Sequence, residues 1–353
     1  MSVATGRTRL RTAPYRWALL AALLALALVC TVTLTRNDGA SEPQMSDRAK
    51  TYLDQALDLM ETKSLLRKQT DWKQLRASAH QAASGAMTTA DTYPAITDAV
   101  RALGDLHSYF WTPEQARTGT ETTIEQFPEL TSRRLPNGAG YLTLPPVSGS
   151  EQSAAAYVRQ GREAVRNTEQ GKGACGWVID LRRNTGGNMW PMLTVVAPIL
   201  GDGEVGSFID ADGTKTPWTI TDATPSLGGQ PFPWGPGSSL RTAAPPVAVL
   251  TDGRTASAAE AVLVAFKGRP DTRTFGTSTR GVPTANEAYP LPDGAILGLT
   301  GARDADRTGE SYDQPIRPDQ EVATSPPDYG TDQDRTLQTA AQWLSAQCGA
   351  TVG

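Results

Sequence analysis

Between residues 47 and 116 apolar side chains return at every third or fourth position. Tyr52, Ala56, Leu57, Leu59 and Met60 form one set, and Trp72, Leu75, Ala79 and Ala82 a second. That spacing places each set on one face of a helix, and a further helical stretch is expected over 93–106. From residue 138 the pattern changes. Short, mostly apolar runs at 140–145, 177–181 and 247–250 predict strands, and helical stretches near 151–168, after Met189 and over 257–266 alternate with them. Such alternation predicts an α/β architecture. Asp210-Ala-Asp-Gly213 and Pro292-Asp-Gly294 read as hairpin turns. The Pro- and Gly-rich stretch 224–239 reads as a surface loop that could border a groove. No repeat or low-complexity tract is visible.

The N-terminus follows a different pattern. Arg7, Arg9, Arg11 and Arg16 precede an uncharged apolar stretch, 17–34, which as a helix nearly crosses a hydrocarbon core of ~30 Å. The arginines lie on its N-terminal side, so the expectation is a membrane anchor with a cytoplasmic start and an outward-facing body. A cleaved signal peptide is the alternative, but its apolar region would be long and no small-x-small site precedes Arg36. Val29 stands where a lipoprotein cysteine at Cys30 would need a small residue. The expected organisation is a basic start and anchor over 1–36, a polar linker over 37–46, a mainly helical lobe over 47–137 and an α/β core over 138–353.

Composition is that of a folded chain: 353 residues, 39% hydrophobic and 20% charged. With 33 basic and 37 acidic residues the net charge is −4, and without runs of one sign nothing recommends a nucleic-acid partner. Two histidines and three cysteines without CxxC or HExxH argue against a zinc site. No metal or cofactor is expected.

Three segments carry candidate chemistry. In Pro246-Val-Ala-Val-Leu-Thr-Asp-Gly-Arg-Thr-Ala-Ser257-Ala-Ala-Glu260 an apolar run stops at a glycine turn and sets a serine where a helix begins. N–H groups of a first helical turn have no intrahelical acceptor and lie at the positive end of the helix dipole, so an oxyanion beside Ser257 would meet donors in place. The same tetrad also fits an ordinary S-x-x-E capping box. Gly176-Trp-Val-Ile-Asp-Leu-Arg-Arg-Asn-Thr-Gly-Gly-Asn188 is a second strand ending in paired glycines, which let backbone N–H groups approach a ligand; a plain strand-to-helix loop is its simpler reading. Leu103-Gly-Asp-Leu-His107 holds one of the two histidines, the side chain suited to proton exchange near neutral pH. His80 sits in an unexceptional helical pattern.

Taken in order, strand-Asp-Leu-Arg-x-Asn-x-Gly-Gly, strand-x-Asp-x-x-Thr-Ala-Ser-Ala-x-Glu and Phe275-Gly-x-x-Thr279-x-Gly281 resemble the tail-specific (C-terminal-processing) and tricorn-like serine peptidases over roughly residues 70–345. The resemblance implies a crotonase-like α/β catalytic core with a smaller helical lobe. Many members insert a PDZ domain, for which the roughly thirty residues between His107 and Tyr141 are too few. A second departure is chemical: the family lysine that follows Thr-x-Gly is replaced by Val282, which cannot accept a proton. Lys267, ten residues past Ser257, would face away from it as a solvated lysine. His107 is left as the candidate base, in a setting similar to tricorn-like members and to anchored, PDZ-less members of the nisin-resistance type, whose pattern is also matched by Ala265-Phe-Lys-Gly268 and Thr284-Ala-Asn286.

The resemblance further implies catalytic roles for Ser257 and His107. Glu260 either orients the site or caps the helix. The oxyanion hole would be the N–H of Ala258 with that of Gly186 or Gly187, while Asp180, Arg182 and Asn184 would shape the loop. The expectation is a membrane-anchored extracytoplasmic serine peptidase acting near peptide C-termini, with an antimicrobial peptide among candidate substrates. An inactive peptide-binding protein on the same fold is the alternative; an acyl-CoA enzyme would need an adenine and pantetheine site that the sequence does not suggest. Outside the cytoplasm Cys175 and Cys348 could pair, unless Cys175 is simply a buried thiol.

Overall fold

The computed structural model describes residues 44–120, 129–235, 240 and 244–350. The helical stretches resolve into α1 (Asp47–Lys63), α2 (Trp72–Ala82) and α3 (Tyr93–Ala102). Ser46 caps α1 by accepting from the Ala49 N–H, and Asp71 caps α2 by accepting from the Gln74 N–H. Their apolar faces meet in one cluster that includes Leu53, Leu57, Met60, Leu75 and Ile96. Beyond α3 come the strand β1 (Tyr109–Trp111), α4 (Pro113–Thr120) and β2 (Ser132–Arg134).

Two sheets form the rest. After β3 (Gly140–Thr143) the chain runs through α5 (Glu151–Thr168), β4 (Trp177–Asp180) and α6 (Met189–Leu200). It then forms the antiparallel run β5 (Gly203–Asp210), β6 (Lys215–Thr221), β7 (Thr224–Leu227) and β8 (Gln230–Pro231). β9 (Val247–Thr251), α7 (Ala258–Phe266) and β10 (Thr272–Gly276) return to the first sheet, and β11 (Thr284–Pro290), β12 (Ile296–Asp306) and β13 (Ser311–Tyr312) to the second. β14 (Gln320–Glu321) and α8 (Arg335–Ala350) close the chain. The first sheet has the order β14-β10-β9-β4-β3-β2, parallel except for β2. The second runs β1-β12-β5-β6-β7-β8, with β11 and β13 also paired to β12.

Parallel strands covered on both faces are predominantly apolar, and every residue of β4 and β9 is buried, with the polar Asp180 and Thr251 only at their C-terminal ends. One face packs under α6 and α7 in a cluster containing Trp177, Ile179, Val249 and Phe266. The other is covered by α8 through Leu337, Ala340 and Leu344. Cys175 and Cys348 form a disulfide that fastens α8 beside the start of β4.

Several expectations need correction. A single crotonase-like α/β core does not describe the molecule, because residues read as one alternating series also build a separate eight-stranded sheet. β1, from within the stretch expected to be helical, is one of its strands: Tyr109 pairs with Gly298 and Trp111 with Ile296. Three intermediate-burial residues carry no periodicity from which that strand could be read. The stretch 224–239 is likewise not all loop, since β7 and β8 lie within it. The proposed membrane anchor is also withdrawn. Its span, 17–34, lies outside the described residues, and among the described residues no helix is long and apolar enough to cross a membrane.

Candidate active site

β4 and β9 are adjacent and parallel, in register from Trp177↔Val247 to Asp180↔Leu250. The loops that leave their C-terminal ends therefore lie side by side, where α/β sheets commonly form their crevices. Hydrogen bonds knit the two together. Thr255 Oγ1 donates to the Leu181 carbonyl at 2.9 Å, the Ala256 N–H to the Asn184 carbonyl at 3.0 Å, and the Arg183 N–H to Asp252 Oδ1 at 3.1 Å. Beneath them Arg182 bridges Asp180 and Asp334 at 2.6 and 2.7 Å, all buried. Asn184 donates to the Leu144 carbonyl at 2.7 Å and accepts from the Gly186 N–H at 2.9 Å.

Ser257 precedes α7 with φ 54° and ψ −119°. An ordinary capping serine has extended backbone; Ser257 instead sits in a region that L-residues rarely occupy, a conformation that costs on the order of 1–3 kcal/mol and concentrates at functional sites. The capping-box glutamate is in place, with Ser257 N–H donating to Glu260 Oε2 at 2.9 Å. Glu260, fully buried, does more than that. It also accepts from Thr279 Oγ1 at 2.5 Å and from the N–H groups of Gly281 and Val282, each at 2.9 Å. One carboxylate thus joins the start of α7 to the loop that carries Val282. Burial pushes this carboxyl up from its ordinary value, and the four hydrogen bonds pull it back.

Opposite Ser257, the His107 loop is fastened to the second sheet. Asp105 Oδ1 accepts from the N–H groups of His107 and Ser108 at 2.9 and 2.6 Å and from Thr300 Oγ1 at 2.8 Å, and Asn286 Nδ2 donates to the His107 carbonyl at 2.7 Å. The imidazole Nδ1 lies 2.7 Å from Thr284 Oγ1. With Nδ1–H donating to Thr284, Nε2 carries the lone pair. Burial pushes this imidazole below its ordinary value, against a smaller upward pull from Asp105, so it stays neutral, and able to accept a proton, to lower pH than a free histidine.

Ser257, Ala258, Gly187 and His107 all line one cleft of about 810 Å³, with Tyr109 and Trp111 on one wall and Trp190 and Phe208 on another. No hydrogen bond joins Ser257 to His107 in this state. The Ala258 N–H belongs to the first turn of α7 and has no intrahelical acceptor. The two glycines differ: the Gly186 N–H is held by Asn184, whereas Gly187 lines the cleft. Neither tolerates a side chain, since a Cβ on Gly187 would meet the Val147 carbonyl oxygen at 2.0 Å and one on Gly186 the Ala256 carbonyl oxygen at 2.9 Å.

Lys267 lies elsewhere, 3.3 Å from Asp319 at the far end of α7; it is an ion-paired, mostly buried lysine rather than a solvated one. His80 pairs with Asp54 at 2.9 Å in the helical lobe. The sequence reading missed Thr284 as the partner of His107, although Thr284-Ala-Asn286 stood out, and it missed Asp304 in the cleft wall entirely. Among the described residues no group of His, Cys, Asp and Glu could hold a metal ion.

The model of the peptidase family S41 matches residues 138–322. The chain is 26% identical over 298 residues to the nisin-resistance protein of Lactococcus lactis subsp. lactis, covering 84% of this chain and 87% of that one. A lipoprotein structure from Streptococcus agalactiae superposes with a TM-score of 0.69 at 28% identity, covering 86% and 98%. The photosystem II D1 C-terminal processing protease shares the fold, with a TM-score of 0.57 at 17% identity over 84% and 98%. The α/β architecture is thus of the S41 peptidase type, which replaces the crotonase-type description.

Proposed function

This chain belongs to peptidase family S41, and from that premise we propose that it is a serine peptidase that cuts peptide bonds near substrate C-termini with Ser257 as nucleophile and His107 as base. The observation that carries the residue assignment is the meeting, in one cleft, of a backbone-strained serine at a helix start and a half-buried histidine oriented through Nδ1.

In this reading substrate binding closes the gap between the pair. His107 Nε2 takes the Ser257 hydroxyl proton as Oγ bonds to the carbonyl carbon. The oxyanion is met by the N–H groups of Ala258 and Gly187, the former aided by the positive end of α7. Protonated His107 gives its proton to the leaving amine as the peptide C–N bond breaks. Water then attacks the acyl-enzyme, His107 takes its proton, and collapse returns that proton to Ser257. Glu260 is a positioning residue: it fixes the backbone on either side of the cleft and touches no substrate.

Likeness in fold to a C-terminal processing protease supports a substrate C-terminus as the target. The Cys175–Cys348 disulfide supports an oxidising, extracytoplasmic location. Neither depends on a membrane anchor. Incubation of the purified protein with peptides of varied C-termini, nisin among them, should give C-terminally shortened products by mass spectrometry. A folded Ser257→Ala protein should give none; equal products from both proteins would sink the assignment.

A further inference from the structure

The cleft wall holds an acid that the chemistry above does not use. Asp304, on β12, is fully buried, and both of its carboxylate oxygens lack a hydrogen-bond partner. Buried polar groups in folded proteins nearly always have partners, so an orphaned carboxyl needs a reason. Its position suggests one. Asp304 pairs across the sheet with Phe208, so the two side chains share a face, and both line the cleft beside Ser257, Ala258 and Ala261. Ala258 and Ala261 on the first turn of α7 line the same cleft, as do Trp190 and Phe208, and the carboxyl itself is closed to water, so a substrate side chain must part its neighbours to reach it.

The surroundings bias what can fill it. The neighbouring carboxyl is Glu260, whose four donors are all uncharged N–H or O–H groups. The nearby arginines are engaged elsewhere: Arg303 faces Asp313, Arg307 donates to the Ala265 carbonyl, and Arg269 donates to the Leu200 and Ile199 carbonyls. Among the described residues no cation pairs with Asp304. Burial, reinforced by Glu260, pushes its carboxyl well up, which favours the neutral form where no counter-charge is at hand.

We propose that Asp304 is a specificity-determining residue that receives the lysine or arginine side chain of a substrate residue adjoining the scissile bond, its aliphatic stem lying against Trp190 and Phe208. The assignment rests on the cleft being the peptide-binding site, and it names the substrate class. A hydrophobic pocket alone discriminates weakly between similar chains, whereas a buried polar group left unpaired by the wrong substrate discriminates strongly.

The test uses position-scanned heptapeptides in which one residue is lysine, glutamine or norleucine. Dissociation constants are measured on the Ser257→Ala protein, with and without Asp304→Asn, and kcat/KM on the protein with Ser257 intact. Lysine should be favoured over norleucine and glutamine by at least about tenfold at one position, and Asp304→Asn should bring that ratio to within about twofold. Because the acid is unpaired, Asp304→Asn and Asp304→Leu should melt no lower than the parent; a large fall in melting temperature would make Asp304 structural and overturn the proposal. A lysine preference that survives Asp304→Asn, or glutamine accepted as well as lysine, also overturns it. Cleavage without basic preference defeats this inference alone, while Asp304-dependent lysine binding without Ser257-dependent cleavage defeats the peptidase assignment alone.

Discussion

Two residues hold the proposed chemistry, and each departs from what its residue type ordinarily does. Ser257 carries a backbone conformation that glycine adopts freely. Ser257→Gly and Ser257→Ala should both be inactive, but the glycine protein should be the more stable by roughly 1 kcal/mol in chemical denaturation; the reverse order would mean the strain is absent. The sign for His107 follows from its burial. A lowered pKa keeps the imidazole neutral as pH falls, so the acid limb of kcat/KM should lie below the ordinary histidine value of about 6.5. Thr284→Val removes the Nδ1 partner, and should lower kcat about 10- to 100-fold with little change in KM, since orientation rather than binding is lost. An unchanged kcat would remove Thr284 from the account. Ser257 and His107 could be singled out from the sequence only through the resemblance of three motifs in order, because a serine at a helix start and a lone histidine are each, taken locally, as well read as a cap and a packed side chain. Thr284 and Asp304 could not, because their roles come from β11 and β12 packing against distant loops.

Among the elements, α7 and the loops around it decide the geometry. α7 is buried along its whole length, so its start cannot shift without repacking the core, and Glu260 fixes that start to the loop at 279–282. Glu260→Gln replaces one acceptor oxygen with a donor amide, which leaves at least one buried donor facing it at a cost of about 1–3 kcal/mol. Thermal melts should show the loss, accompanied by reduced activity; a glutamine protein as stable and as active as the parent would reduce Glu260 to a simple helix cap. The strands β4 and β9 were legible because buried parallel strands are mostly apolar runs. The hairpin turns at Asp210–Gly213 and Pro292–Gly294 were legible from turn residues. The pairing that unites β1 with β12 was not, since a three-residue strand is specified by its partner and not by its own pattern.

At the scale of the whole molecule, three apolar clusters are held together by the two sheets, and His107 comes to line the same cleft as Ser257 because β1, which follows it, pairs with β12 of the second sheet. The disulfide acts at this scale too, closing a separation of 173 residues between β4 and α8. Replacing Cys175 and Cys348 with serine should cost about 2–5 kcal/mol of stability, while activity at low temperature survives because the bridge is remote from the cleft; an unchanged melting temperature under reducing conditions would contradict this. The central claim, a Ser257 nucleophile activated by His107, is tested most directly by the rate at which a fluorophosphonate probe labels the intact protein as a function of pH, with the site read by peptide mass spectrometry. Labelling should fall on Ser257, rise through an acid limb below pH ~6.5, and slow by ~10²–10⁴-fold in His107→Ala. Labelling at another residue, or an undiminished rate without His107, would contradict the account.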